Sequence, residues 1–348
     1  MRRPSPQNSS CATPFSTRRR ANGSSDARRR DIFPETGASL TIDSIRARRE
    51  LIVPAILAVL LFSPVVGCQP HADRIVVGSK NFTEQLILGE LFAQVIEART
   101  HLEVERRFYL AGTFICQQAI LAGRIDIYPE YTGTALTAVL KQQPNTGQPS
   151  GDKQEVYRRV KQSYESKFGL SVGPPLGFDD TFAIVIRGED ARRLHLETLS
   201  QAAAFTPQWR AGFGYEFMER PDGYKGLVAS YGLRFAEAPR IMDLGLITRA
   251  LKEHQVDIIA GNNTDGLIPA LDLFALQDDH HYFPPYEAVA IMRGAMLKNH
   301  PEVATALGEL AGAISDGDMR RLNYAVDGQH RDAAEVVHEF LRQRKLIN

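Results

Sequence analysis

The sequence predicts an α/β protein whose main body is two-lobed, each lobe a mixed, mostly parallel sheet flanked by helices. Three observations predict it. From Arg74 onward, short β-branched runs alternate with segments of helical apolar period, as strands joined by crossover helices do. A unit of helix, turn, Asp-containing strand and Gly-containing loop occurs twice. It reads Gly123-Arg124-Ile125-Asp126-Ile127 before Tyr131-Thr132-Gly133, and Gln255-Val256-Asp257-Ile258-Ile259 before Thr264-Asp265-Gly266. The body after Cys68 has about 280 residues, enough for one large or two medium cores.

Ahead of the body, residues 1–50 read as a disordered basic leader, with Arg18-Arg19-Arg20 and Arg28-Arg29-Arg30 among Ser, Pro, Asn and Gly. Arg46, Arg48 and Arg49 then precede an apolar segment, 51–67. That is the order of an export signal, and its length is marginal for a bilayer span. Val65-Val66-Gly67-Cys68 resembles a bacterial lipoprotein processing site, which implies a lipidated Cys68 and a tether over 68–73. An uncleaved anchor is the alternative. Both place the body outside the cytoplasm.

In the body, Arg74–Gly78 reads as a strand, and a polar loop then leads into a helix striped by Leu86, Ile87, Leu88, Leu91, Phe92, Val95 and Ile96. Asn81 with Glu84 fits a capping box for that helix, with Thr83 as a rival cap. Next come a strand at Leu102–Leu110, a helix at Thr113–Leu121 and a strand at Ile125–Tyr128. A helix at Ala135–Leu140, a surface loop at Gln142–Lys153 and a helix at Glu155–Lys167 follow. Phe182–Ile186 opens the second series. It continues with a helix at Leu196–Ala204, a strand or turn at Trp209–Gly214, and helices at Tyr215–Glu219 and Tyr224–Tyr231. A strand ending at Arg240–Met242, a helix at Gly245–Glu253 and a strand at Val256–Ala260 complete it. A strand at Ala288–Met292 and helices at Pro301–Leu310, Asp316–Tyr324 and Ala333–Leu341 form a tail expected to pack back on the first lobe.

Charge narrows the function. The chain is formally neutral, with 41 basic and 41 acidic residues, but eleven arginines against five acids precede Cys68. The body is left with 30 basic and 36 acidic residues, a net of −6. That argues against a nucleic-acid partner. No GxSxG, HExxH or GxxxxGK motif occurs, so no catalytic site, metal or cofactor is expected. His280-His281 beside Asp278-Asp279 reads as a polar loop. Cys116, among Phe114, Ile115 and Ala119, reads as a packed thiol.

Aromatic and charged residues cluster instead at strand ends, where binding groups usually stand. Tyr131, Phe182 and Tyr286 together suggest a cation site, since aromatic faces attract an ammonium that has no N–H to donate. Lys80 and Arg220 are the natural partners for a carboxylate on the same solute. Read locally, Arg220 in Glu219-Arg220-Pro221-Asp222-Gly223 predicts a surface ion pair with Glu219 or Asp222.

Several separate motifs, in this order, resemble the osmoprotectant-binding proteins of ABC transporters that take glycine betaine or choline. They are Gly78-Ser79-Lys80-Asn81-Phe82-Thr83-Glu84-Gln85, Tyr128-Pro129-Glu130-Tyr131-Thr132-Gly133-Thr134, Thr264-Asp265-Gly266, and Asp278-Asp279 with Phe283-Pro284-Pro285-Tyr286. The resemblance runs from about Arg74 to the C-terminus. It implies a type II periplasmic-binding-protein fold, with a first lobe at 74–181 completed by 286–348 and a second lobe at 182–285. The crossings would fall at Gly177–Thr181 and Pro284–Glu287. It further implies a monomer in the periplasm or on the outer face of the cytoplasmic membrane, lipid-anchored. Such a protein hands a small zwitterionic or cationic solute to transmembrane transporter subunits. By position, Tyr131 and Tyr286 are wall residues, Thr134 and Lys80 face a carboxylate, and Arg220 grips it. Phe182 stands where some members have Tyr. Asn262 stands where high-affinity members have Tyr, which implies weak betaine binding or another ligand. Competing readings are another small amine or amino-acid-like solute in the same fold, a sensory binding protein, or a periplasmic enzyme.

Overall fold

Two five-stranded sheets carry the fold of the computed structural model, which describes residues 74–142 and 152–348. The expected leader, signal segment, lipidated Cys68, tether and most of the Gln142–Lys153 loop lie outside those residues.

The strands in chain order are β1 (Arg74–Gly78), β2 (Glu103–Arg107), β3 (Ile127–Tyr131), β4 (Leu170–Val172), β5 (Phe182–Arg187), β6 (Ala211–Gly214), β7 (Arg240–Met242), β8 (Ile258–Asn262), β9 (Leu273–Leu276) and β10 (Ala288–Arg293). The first sheet has the order β2-β1-β3-β10-β4 and the second β7-β6-β8-β5-β9. In each, a single strand runs against the rest: β10 in the first, β5 in the second. Each of these is the first strand laid down after the chain arrives from the other sheet. The expected mixed, mostly parallel sheets are therefore present twice, with one topology.

The repeated Asp-containing unit is a structural equivalence. Before β3, Asp126 accepts the Val76 N–H at 2.9 Å and is paired with Arg293 at the end of β10. Before β8, Asp257 accepts the Arg210 N–H at 2.9 Å and is paired with Arg187 at the end of β5. Each carboxylate thus ties a strand start to its neighbour and to the antiparallel strand. This brace also explains why the third strand begins at Ile127 rather than Ile125.

Among the helices, α1 (Thr83–Arg99), α2 (Thr113–Leu121), α3 (Lys153–Phe168), α4 (Tyr215–Glu219), α5 (Leu244–Lys252), α6 (Asp316–Asp327) and α7 (Ala333–Gln343) frame the two sheets. Leu88, Leu91, Phe92 and Val95 of α1 are fully buried, because α6, α7 and the helix Glu302–Gly308 pack on it. α3 stops at Gly169, whose φ of 64° is the left-handed cap that glycine adopts without strain. Of the expected helix Leu196–Ala204 only Leu199–Ala202 is helical, and an unexpected helix, Gly188–Leu194, precedes it. His195 at φ 54° turns the chain, and Thr198 with Gln201 forms a capping box that starts the later one. No helix among the described residues is long and apolar enough to cross a membrane.

Candidate binding cavity

A cavity of about 420 Å³ lies where the C-terminal ends of β1, β3, β6 and β8 meet the starts of β5 and β10. This is the usual ligand position in open α/β sheets. Lys80, Tyr131, Thr134, Phe182, Arg220, Asn262 and Tyr286, the residues expected at a site, all line it.

Arg220 follows α4 and is only 5% exposed. Its Nε and Nη2 donate to the two oxygens of Asp222 at 2.9 and 2.5 Å, and its Nη1 donates to Thr134 Oγ1 at 2.9 Å. The expected ion pair with Asp222 therefore exists, but it is buried and not on the surface. The guanidinium lies 4.9 Å from the Phe182 ring centre and 5.6 Å from that of Tyr286. Asp222 Oδ2 also accepts the hydroxyls of Thr137 at 2.8 Å and Tyr286 at 2.5 Å. Burial works against the Asp222 charge, but Arg220 and these hydroxyls hold its carboxyl below the usual range. A guanidinium has five N–H donors; with three engaged, two remain.

Lys80, just past β1, donates to Glu130 Oε1 at 2.5 Å, and both side chains are buried. The same oxygen accepts the Tyr131 N–H at 2.8 Å. The Lys80 Nζ stands 5.0 Å from the Tyr131 ring centre. Phe182 opens β5 and packs against Phe217, Phe283 and Tyr286, at centroid distances of 4.9, 5.5 and 5.7 Å. Asn262 ends β8 opposite Phe182 in the ladder, and its amide donates to Asp180 Oδ2 at 2.6 Å.

Sequence reasoning missed a second buried network. The capping box does not form: Phe82 is the N-cap and makes no side-chain cap bond. Glu84 serves the interior instead. Its Oε1 accepts the Tyr131 hydroxyl at 2.7 Å, and its Oε2 accepts the Asn323 amide at 3.0 Å. Thr264 Oγ1 lies 2.5 Å from Glu84 Oε2 and 2.6 Å from Asp180 Oδ1. One hydroxyl has one proton to give, so one carboxyl must supply the other. Glu84 and Asp180 therefore share a proton across Thr264, and burial raises both carboxyls. Burial, and then the neighbouring Glu84 charge, push the Asp180 carboxyl well above its ordinary range.

Glu216 of α4, also in the lining, accepts the Thr113 N–H at the first turn of α2 at 2.5 Å and so joins elements of the two sheets. No local pattern marked it. With Lys80 and Arg220 each paired to an acid and Asp180 sharing a proton with Glu84, Glu216 and Asp243 leave the lining acidic. Two other sequence candidates lie elsewhere. Cys116 is buried against Ile120 and Tyr128, and burial pushes its thiol up to about 12. His280 stacks on Tyr231 at 4.3 Å.

The family model for the substrate binding domain of ABC-type glycine betaine transport system matches residues 73–343. The chain is 35% identical over 273 residues to the carnitine transport binding protein OpuCC of Listeria monocytogenes, covering 78% of this chain and 87% of that protein. It is 33% identical over 288 residues to a glycine-betaine-binding protein of Pseudomonas aeruginosa, covering 80% and 90%. Among solved structures, that of a glycine betaine/carnitine/choline ABC transporter superposes with a TM-score of 0.65 at 33% identity, covering 79% of this chain and all of the other.

Proposed function

The chain belongs to the extracytoplasmic substrate-binding proteins of ABC transporters for betaine-, choline- and carnitine-type osmoprotectants, and from that membership we propose how its cavity holds a solute. The family is non-catalytic. Its members bind a small polar or charged solute outside the cytoplasm and work with the transporter's membrane subunits.

The observation that carries the reading is one acidic, ring-lined cavity bounded by both sheets. Tyr131, Phe182 and Tyr286 contact the methyl groups of a quaternary ammonium, each face contributing roughly 0.5–2 kcal/mol. Glu216 and Asp243 favour its charge. A carboxylate, where the solute has one, takes the two remaining N–H groups of Arg220, with Lys80 and Thr134 beside them. Asn262 supplies an amide in place of a ring, so glycine betaine binds weakly. The lobes are 74–181 with 286–348, and 182–285. A solute touching both favours their closed arrangement by pivoting the crossings at Gly177–Thr181 and Pro284–Glu287. Cys68 carries a lipid that holds the monomer at the outer face of the membrane.

Calorimetric titration of glycine betaine, choline, carnitine and proline tests this reading. The quaternary ammonium compounds should bind, and proline should not. Arg220→Ala should weaken carboxylate-bearing solutes much more than choline. Equal losses would remove Arg220 from the carboxylate role, and binding of proline alone would remove the ammonium site.

A further inference from the structure

A second chamber deepens the quaternary-ammonium reading and rests on it. A space of about 180 Å³ adjoins the main cavity, and Asn81, Phe82, Asp243, Leu244 and Asn262 line both. Asn262 stands at this boundary with its short amide drawn toward Asp180 at 2.6 Å. A larger ring at this position would extend into the boundary.

The chamber differs chemically from the main cavity. Glu84, Asp243, Asp265 and Asp327 line it, with no Lys, Arg or His. Most of their oxygens are engaged: Asp265 accepts the Leu267 N–H at 2.8 Å and the Thr248 hydroxyl at 3.2 Å, and Asp327 Oδ1 accepts the Thr83 hydroxyl at 2.6 Å. Asp243 uses Oδ1 for the Gly245 N–H. The second oxygens of Asp243 and Asp327 accept no hydrogen bond from the described residues. Asn323, 4% exposed, stands in the same wall, and its Oδ1 has no donor although it is covered from the chamber. This surface offers acceptors and negative charge. It suits N–H donors and rejects a carboxylate. Gly261 also lines it, and a Cβ added there would meet no atom within 4 Å, so the chamber has room beside the strand.

We propose that the solute of this protein carries, besides its methylated ammonium, an uncharged or cationic arm with N–H donors, and that this arm lies in the second chamber. The probes are glycine betaine, choline, Nα-trimethylglutamine and Nα-trimethylglutamate, the last two alike in shape and different in charge. By calorimetry the trimethylated amide should bind roughly tenfold tighter than glycine betaine, and the trimethylated acid roughly tenfold weaker than the amide. Gly261→Val fills the chamber. It should erase the amide's advantage while glycine betaine affinity, which also reports folding, stays unchanged. Equal binding of amide and acid by the unaltered protein, or an advantage that survives Gly261→Val, overturns the inference. Glycine betaine bound with no preference for the armed solute overturns it alone. Failure of all four probes overturns it together with the quaternary-ammonium reading beneath it.

Discussion

At Arg220 one guanidinium is ion pair, hydrogen-bond donor and stacking partner at once. Asp222→Ala would leave that charge buried and uncompensated, a cost of about 3–5 kcal/mol. It should appear as a lower urea midpoint in the absence of solute, and a midpoint equal to wild type would mean that the guanidinium finds water or another acid. The identity of its partner was legible in the local sequence; its burial was not. Thr134, Phe182 and Tyr286, which cover it, come from distant parts of the chain. Glu84 teaches the same lesson in reverse: the capping pattern was real as a pattern, but Tyr131, Thr264 and Asn323 offer stronger partners than a helix end. Asn262 was singled out because a ring was expected there. Asn262→Tyr should restore an aromatic wall and tighten glycine betaine by roughly 0.5–2 kcal/mol. Unchanged calorimetry would remove residue 262 from the wall.

Several hydrogen bonds join elements of the two sheets at the cavity, and the one from Thr113 of α2 to Glu216 of α4 links two helix starts directly. Glu216→Ala should weaken solute binding several-fold, the effect of about 0.5–1.5 kcal/mol, mainly through faster release in stopped-flow measurements. Gly112→Ala should do likewise, because its Cβ would come within 2.1 Å of Glu216 Oε1. If release rates match wild type in both, α2 and α4 do not gate the solute. The long elements, α1 and the terminal helices, were readable because their apolar periodicity persists for several turns. β4 and β9 were not: three and four residues at sheet edges carry too little pattern to register. The helix Gly188–Leu194 was not readable either, because the left-handed histidine that ends it leaves no compositional mark.

For the whole molecule, two aspartates set opposite pH limits. The neutral form of Asp180 belongs to the folded state, so its contribution is whole below the ordinary aspartate value and is lost as pH rises toward its raised value. Burial opposes the charge of Asp257, but Arg210 and Arg187 bring it down to about 2. Its contribution is whole above the ordinary value and is lost as pH falls toward about 2. Melting curves across pH should therefore flatten on the alkaline side for Asp180→Asn and on the acid side for Asp257→Asn. Curves parallel to wild type would deny either group its part. The duplicated topology was legible from the Asp-containing units because the same brace recurs in both sheets. That topology bears on how the chain comes into being. Residues 182–276 supply every strand of the second sheet in one run, whereas the first sheet lacks the strand between β3 and β4 until Ala288–Arg293 has been made. A nascent chain thus carries an early sheet that stays open until most of the sequence has been made.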